Sequence, residues 1–144
     1  YEVVAVDQSE VGLAKAEKLA EQQGVQIQTI VANLAEFVIE SKSWQGIVSI
    51  FCHLPSALWQ KVTRDAIAGL TPGGMLVLEA YTPRQLEFKT GGPSDVDMLV
   101  SLEIAKSKLT GLDLKIAQEL DREVIEGAYH NGIAAVVQIL GEAY

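Results

Sequence analysis

The sequence is poor in cysteine and in basic residues, and each shortage excludes a class of function. Cys52 is the one cysteine among 144 residues, so the chain has neither an internal disulfide nor the ligand spacing of a zinc site. The 11 lysines and arginines face 19 aspartates and glutamates, which gives a formal net charge of -8. Nucleic acid and anionic membranes require a concentrated basic face, so we expect neither as a partner. A reducing cytoplasm is the expected location.

Long apolar runs are missing as well. The most apolar stretches, residues 47–52 and 133–137, are far shorter than the ~20 residues that a membrane span requires. No charged segment precedes an apolar one at the start, so no signal peptide is expected. Hydrophobic residues still make up 49% of the chain, which is enough for a buried core. The length predicts a single domain over residues 1–144.

Short apolar runs alternate with amphipathic stretches, which is the pattern of parallel βα units. The run 47–51 is apolar enough to be buried on both faces of a sheet. Residues 114–124 and 133–140 have no helix between them and therefore predict an antiparallel hairpin. The predicted fold is α/β: a Rossmann-like, doubly wound, mostly parallel sheet that ends in an antiparallel hairpin. The predicted parallel strands are residues 1–6, 25–31, 47–51 and 75–80.

The predicted helices lie between these strands. Ser9 is placed to cap the first helix and Gly24 to end it. Ser94 and Asp97 have the spacing of a capping box, which predicts a third helix ending near Gly111. The second helix starts at Pro55 and carries an apolar stripe of Leu58, Val62, Ala66 and Leu70. Residues 81–93 form a long irregular loop in which a function is plausible.

Asp7 is the first candidate for chemistry. It ends the first strand and precedes a helix cap. In nucleotide-binding α/β folds an acid at this point accepts hydrogen bonds from both ribose hydroxyls. The alternative is a solvated acid that helps to cap the helix at Ser9.

The order of elements resembles the class I S-adenosylmethionine-dependent methyltransferases. The closing hairpin is similar to their last two strands, and residues 1–7 look like their second strand with its ribose-binding acid. Two further segments are similar to turns of this family: Ala32-Asn33-Leu34 after its third strand and Leu70-Thr71-Pro72-Gly73-Gly74 ahead of its fifth. Within the family, residues 47–55, Gly91-Gly92-Pro93 and residues 126–130 resemble the tellurite-resistance-type bacterial branch.

The resemblance implies an S-adenosylmethionine cofactor. The cofactor-binding residues it implies are Asp7, Gln8, Asn33, Leu34, Phe51 and Cys52. Asn33 replaces the family's usual aspartate, but its side-chain oxygen can still accept a hydrogen bond from the adenine amino group. The family's first strand and glycine-rich loop have no counterpart in residues 1–144, so we expect them upstream of Tyr1.

The resemblance implies a site for the methyl acceptor near the ends of the later strands. His53 follows a buried strand, where a neutral imidazole could orient a substrate or take a proton; the alternative is a histidine satisfied by backbone groups in a turn. Tyr129 and His130 are the other catalytic candidates, with an exposed turn as the alternative. Cys52 is interpreted as packing, and a Cys52/His53 metal site is rejected because further ligands are missing. The implied substrate-binding residues are His53, Tyr81, Tyr129 and His130.

The predicted function is methyl transfer to a small-molecule acceptor such as a thiol or a chalcogen oxyanion. Residues 83–93 would act as a lid, and the charges of residues 115–126 are interpreted as a solvated strand face.

One alternative to methyl transfer is a nicotinamide-dependent oxidoreductase, because an acid after a strand binds the ribose of that cofactor equally well. Another is a non-catalytic binding module with the same fold. The sequence does not determine the oligomeric state.

Overall fold

A computed structural model of the protein describes every residue except Glu126, Ala128 and Tyr129. The described chain divides into two compact units, Tyr1–Val38 and Ile39–Tyr144. The single domain over residues 1–144 stays a prediction. No helix in the described ranges is long and apolar enough to cross a membrane.

The first unit is a βαβ arrangement. Strand β1 (Val4–Asp7), helix α1 (Glu10–Gln22) and strand β2 (Gln28–Val31) follow one another. The two strands pair in parallel, so that Asp7 lies opposite Val31. Ser9 caps the helix as predicted, since its Oγ accepts a hydrogen bond from Gly12 N at 3.0 Å. Gly24 follows the helix at a φ of 67°, a conformation that glycine adopts without strain.

The second unit is built on a sheet of four strands in the described chain. Strands β3 (Trp44–Ile50), β4 (Leu70–Tyr81), β5 (Leu112–Ile125) and β6 (Asn131–Ala143) lie in the order β3-β4-β6-β5. The pair β3-β4 is parallel, and both pairs that involve β6 are antiparallel. The closing hairpin is therefore confirmed. The predicted turn at 70–74 lies within the bounds of β4, but it interrupts the pairing with β3: Leu70 is opposite Trp44 and Met75 is opposite Gly46, and Gly73 between them has a φ of 76°.

The helices of this unit are α2 (Ser56–Gly69), α3 (Gln85–Phe88) and α4 (Leu102–Lys108), with a 3₁₀ turn at Val96–Met98. The third predicted helix was placed too early. Ser101 caps α4 through its Oγ, which accepts from Ile104 N at 3.2 Å. Asp97 serves a different helix, because its Oδ2 accepts from Ser56 N at 3.0 Å at the start of α2. A capping acid can come from a distant segment, which local spacing does not reveal.

The core of this unit lies between the sheet and the helices α2 and α4. Ala66 and Leu70 of the predicted stripe are buried, but Trp59 and Thr63 are buried in place of Leu58 and Val62. Ile47 packs on this core, whereas its neighbour Val48 is 69% exposed. The prediction that both faces of this strand are buried was therefore wrong. The core of this unit also contains Leu76, Leu78, Ala105, Leu109, Val137 and Ile139.

Candidate functional site

Asp7 stands at the carboxyl end of β1 and is exposed to solvent. Its Oδ1 accepts a hydrogen bond from Ser9 N at 2.8 Å. The predicted capping alternative is thus present in the structure. Within the described residues, Oδ2 has no hydrogen-bond partner, so it can accept from a ribose hydroxyl while Oδ1 holds the helix cap.

The turn after β2 lies at the same edge. Ala32 N donates to Asp7 O at 3.0 Å, which joins this turn to the end of β1. Asn33 is exposed, and its Oδ1 accepts from Ala35 N at 3.0 Å. An amide oxygen has two lone pairs, so one is left for an adenine amino group. Gln8 is exposed and Leu34 is half-buried beside them.

These two acceptor groups fit the adenosine part of S-adenosylmethionine. A carboxylate oxygen for a ribose hydroxyl and an amide oxygen for an amino group stand at one edge of a parallel βαβ unit, where such folds bind nucleotides. A shallow groove at the opposite end of β1, lined by Val3 and Gln28 among others, contains none of these residues. The carboxyl edge is therefore the candidate nucleotide site of the first unit.

In the second unit, the chain turns sharply where β3 ends. Phe51 adopts a left-handed φ of 50°. Its N–H donates to Glu79 O at 2.8 Å, and its carbonyl accepts from His53 N at 3.1 Å. This turn places Phe51 and His53 on either side of Cys52, which is half-buried.

Three rings meet at this edge, and we call Phe51, His53 and Tyr81 the aromatic cluster. The ring centroids of Phe51 and Tyr81 are 4.6 Å apart. Those of His53 and Tyr81 are 5.1 Å apart, with planes 3° from parallel. Tyr81 is 1% exposed. The cluster forms because β3 and β4 are parallel neighbours: Tyr81 ends β4, and Phe51 and His53 come directly after β3, at the same edge of the sheet.

The hydrogen bond of His53 defines the tautomer of its ring. Nδ1 lies 3.4 Å from Met98 O, and a carbonyl oxygen can only accept, so Nδ1 carries the proton. Nε2 is buried and has no hydrogen-bond partner among the described residues. Burial lowers the pKa of His53; the Met98 carbonyl opposes this, and the charge of His130 adds to the lowering. A neutral imidazole with a lone pair on Nε2 can accept a proton.

The loop of residues 83–93 is anchored to β6. Gln85 is 1% exposed; its Nε2 donates to Thr90 Oγ1 and Gly91 O, both at 3.0 Å, and its Oε1 accepts from Ala135 N at 2.9 Å. A Cβ atom on Gly92 would lie 2.6 Å from Tyr81 Cδ2. The loop thus covers one side of the Tyr81 ring. Its movement as a lid stays a prediction.

A charged network that the sequence analysis missed lies beside the cluster. Arg122 was interpreted as part of a solvated strand face, but it forms an ion pair with Glu79. Gln138 Nε2 also donates to Glu79, at 2.6 Å. A glutamate in the apolar run 75–80 was the available signal, because a buried carboxylate needs a partner.

The predicted site residues thus fall into two groups. Asp7 and Asn33 stand at one edge of the first unit, and the aromatic cluster forms in the second. His130 is exposed, yet it is close enough to His53 for its charge to affect that pKa. Tyr129 lies outside the described residues.

A parallel βαβ unit with an acceptor carboxylate at its carboxyl edge is typical of nucleotide-binding α/β proteins. Residues 1–74 match a family described as "Methyltransferase domain". The chain belongs to this methyltransferase-domain family. No curated protein matches it in sequence.

Solved structures share the fold at low sequence identity. TehB from Haemophilus influenzae has a TM-score of 0.77 at 15% identity, with 100% of this chain and 50% of TehB covered. A SAM-dependent methyltransferase from Methanosarcina mazei has a TM-score of 0.73 at 15% identity, with coverages of 99% and 82%. A protein of echinomycin biosynthesis has a TM-score of 0.75 at 13% identity, with coverages of 99% and 66%. The chain has the class I methyltransferase fold and spans half of TehB.

Proposed function

We propose that the full-length protein transfers a methyl group from S-adenosylmethionine to a small, soft acceptor such as a thiol or a chalcogen oxyanion. The observation that carries this proposal is the family match over residues 1–74, the segment in which Asp7 and Asn33 stand at one edge. S-adenosylmethionine supplies a methyl group on a positively charged sulfur, and displacement by an acceptor lone pair leaves a neutral thioether.

On this proposal the first unit holds the adenosine. Asp7 Oδ2 accepts from a ribose hydroxyl, and the free lone pair of Asn33 Oδ1 accepts from the adenine amino group. Gln8 and Leu34 border the nucleoside. The capping bond from Ser9 N fixes the rotamer of Asp7, so its second oxygen is already oriented before the cofactor binds.

The aromatic cluster and His130 orient the acceptor, and Tyr129 is assigned to the same role by the resemblance. The resemblance assigns Phe51 and Cys52 to cofactor binding. His53 Nε2 accepts the proton of a protonated acceptor such as a thiol, because Nδ1 already donates to Met98 O. The buried position of Tyr81 under the loop of residues 83–93 suits a small acceptor better than a polymer.

A soft acceptor needs little base catalysis, because its polarisable lone pair attacks readily. The protein then contributes mainly by holding the reacting atoms in line and by excluding water. The resemblance to the tellurite-resistance-type branch favours a chalcogen oxyanion or a thiol within this class. The family match favours methyl transfer over the nicotinamide-dependent alternative. A non-catalytic module remains the second alternative.

A transfer assay with methyl-labelled S-adenosylmethionine tests the proposal on the full-length protein. The acceptor panel contains a thiol, selenite, tellurite, an amine and a phenol. We expect label in the thiol or oxyanion products and a His53→Gln variant with reduced turnover but cofactor affinity within about twofold of wild type. Transfer to none of these acceptors, in a protein that binds the cofactor, would support the non-catalytic module.

A further inference from the structure

Glu79 is a charged residue on an apolar strand, and it is only 9% exposed. A buried carboxylate is costly unless its oxygens are paired. Arg122 donates to Oε1 through Nε, at 3.0 Å, and through Nη2. Gln138 Nε2 donates to Oε2 at 2.6 Å, and Gln118 Nε2 donates to Gln138 Oε1 at 3.0 Å. Both oxygens of Glu79 are therefore held within a network across three strands.

Arg122 links this network to the aromatic cluster. Its Cζ lies 5.9 Å from the centroid of the Phe51 ring, which is the distance of a cation–π contact. Its Nη1 donates to Glu123 O at 2.9 Å. The guanidinium is thus fixed by the Glu79 carboxylate and by its own strand while it contacts Phe51.

The main chain provides a second link. Glu79 O accepts the hydrogen bond from Phe51 N at 2.8 Å. Phe51 has a left-handed backbone, which a residue with a Cβ adopts only when its surroundings stabilise it. Glu79 through its carbonyl and Arg122 through its side chain both contact Phe51, so the pair supplies such stabilisation.

The conformation of Phe51 determines the position of the His53 main chain and ring. The Phe51 carbonyl accepts from His53 N at 3.1 Å, and the Phe51 ring lies 6.1 Å from the imidazole. The Phe51 ring also packs on Tyr81, against which the imidazole lies nearly parallel. A shift of Phe51 would therefore move both the main chain and one of the rings that hold His53.

We propose that Glu79 and Arg122 are positioning residues that fix Phe51 in its left-handed conformation and thereby orient the His53 imidazole toward the acceptor. Neither residue touches the acceptor; both act through Phe51. The effect on the reaction rests on the proposed function, whereas the orientation of His53 is a property of the protein alone. The two parts are tested separately.

Proton NMR of the histidine rings tests the orientation. The chain has two histidines, so a His53→Gln variant assigns the signals. Ring currents from Tyr81 and Phe51 shift the His53 ring protons upfield. We expect Glu79→Gln and Arg122→Lys to move these signals toward their unfolded positions, because glutamine lacks the charge and lysine lacks the planar guanidinium.

Glu142→Gln is the matched control. Glu142 is also a strand glutamate paired with a cation on β5, since its carboxylate lies 2.9 Å from Lys115 Nζ. It is opposite Met75 on β4, whereas Glu79 is opposite Gln138. The control therefore removes a more exposed ion pair between β6 and β5 at another place in the same sheet, and we expect unchanged His53 signals.

Kinetics test the effect on the reaction. We expect Glu79→Gln to lower kcat roughly tenfold, with the KM for S-adenosylmethionine within about twofold, as a misplaced catalytic group does. The kcat of Arg122→Lys should lie between those of Glu79→Gln and wild type. If Glu79→Gln fails to fold, Arg122→Lys alone tests the proposal. Residue 122 is partly exposed and lysine keeps the positive charge, so we expect this variant to fold.

Unchanged His53 signals in folded Glu79→Gln and Arg122→Lys would overturn the positioning role. Shifted signals with unchanged kcat in an active enzyme would overturn its effect on the reaction. Shifted signals in a protein that methylates no acceptor would support the positioning role and refute the proposed function.

Discussion

His53 and Tyr81 lie face to face, with ring planes 3° from parallel and centroids 5.1 Å apart. Tyr81 ends β4 and His53 follows the end of its parallel neighbour β3, so the register of the sheet brings them together. The stack buries one face of the imidazole, and Nδ1 donates to the Met98 carbonyl. The unprotonated nitrogen, Nε2, is thereby defined by the fold.

The titration of His53 is the first prediction. Burial lowers its pKa below the ordinary value of 6.5, so the ring is neutral at pH 7. An NMR titration should give a midpoint below 6.5 for His53. A His53 midpoint at or above 6.5 would contradict the assigned burial.

The same shift makes stability depend on pH. His53 binds a proton more tightly in the unfolded chain than in the folded protein. Above pH 6.5 the residue is neutral in both states, so it does not change the free energy of unfolding. The free energy of unfolding decreases as the pH falls below 6.5, and this decrease levels off below the pKa of His53 in the folded protein. Thermal unfolding from pH 8 to pH 4 should show this loss, and a His53→Gln variant should lack that part of it. An identical pH dependence in both proteins would refute the linkage.

Asp7→Asn separates ribose binding from helix capping. The amide oxygen still accepts from Ser9 N, but the charge and one acceptor are lost. Cofactor affinity should fall by roughly 1.5–3 kcal/mol, the range for hydrogen bonds to charged groups, with little change in thermal stability.

Ser9→Ala is the matched control for Asp7. It removes the hydrogen bond from Gly12 N to Ser9 Oγ and should cost about 1 kcal/mol of stability, while the affinity per folded molecule stays constant. Calorimetry and thermal unfolding measure both quantities. The reverse pattern, with a stability loss in Asp7→Asn and no affinity loss, would show that Asp7 is only a helix cap.

Gly92→Ala tests the packing of the loop on Tyr81. The new Cβ would lie 2.6 Å from Tyr81 Cδ2, and the φ of Gly92 is 89°. Backbone strain and the clash together should cost about 2–4 kcal/mol. Gly24→Ala is the control, because its φ is 67° and nothing lies within 4 Å of its Cβ position. Urea unfolding should show a clearly smaller loss for the control; equal losses would mean that the loop does not pack on Tyr81.

Asp97 is predicted to stabilise α2 across the fold. Ser56 donates to it from both main chain and side chain, and these hydrogen bonds lower its pKa below 3.8. The stabilisation is present above pH 3.8 and is lost as the pH falls through the lowered pKa. Asp97→Ala should therefore have a lower Tm than wild type at pH 7, and the difference should disappear in acid. A Tm difference that persists at pH 2 would exclude the carboxylate as its cause.

Local patterns in the sequence predicted the features that depend on neighbouring residues. The Ser9 cap follows from a preference for hydroxyl side chains before helices. The hairpin of β5 and β6 follows from two long runs with no helix between them. The place of Asp7 at the end of β1 follows from the parallel βαβ pattern, whereas Asn33 was assigned only by the resemblance.

The features that were missed depend on partners far along the chain. Arg122 finds its carboxylate 43 residues away, and periodicity within β5 carries no information about that partner. Asp97 caps a helix that starts 41 residues earlier. The left-handed Phe51 is stabilised by contacts with β4 and β5, so its own neighbours in the sequence do not predict it.

Cofactor binding distinguishes a methyltransferase from a nicotinamide-dependent oxidoreductase in one experiment. Isothermal titration calorimetry of the full-length protein compares S-adenosylmethionine, its demethylated product and NADH. We expect binding of both sulfur nucleotides, weakened in Asp7→Asn, and no binding of NADH. Binding of NADH without either sulfur nucleotide would contradict this expectation and favour the nicotinamide-dependent alternative.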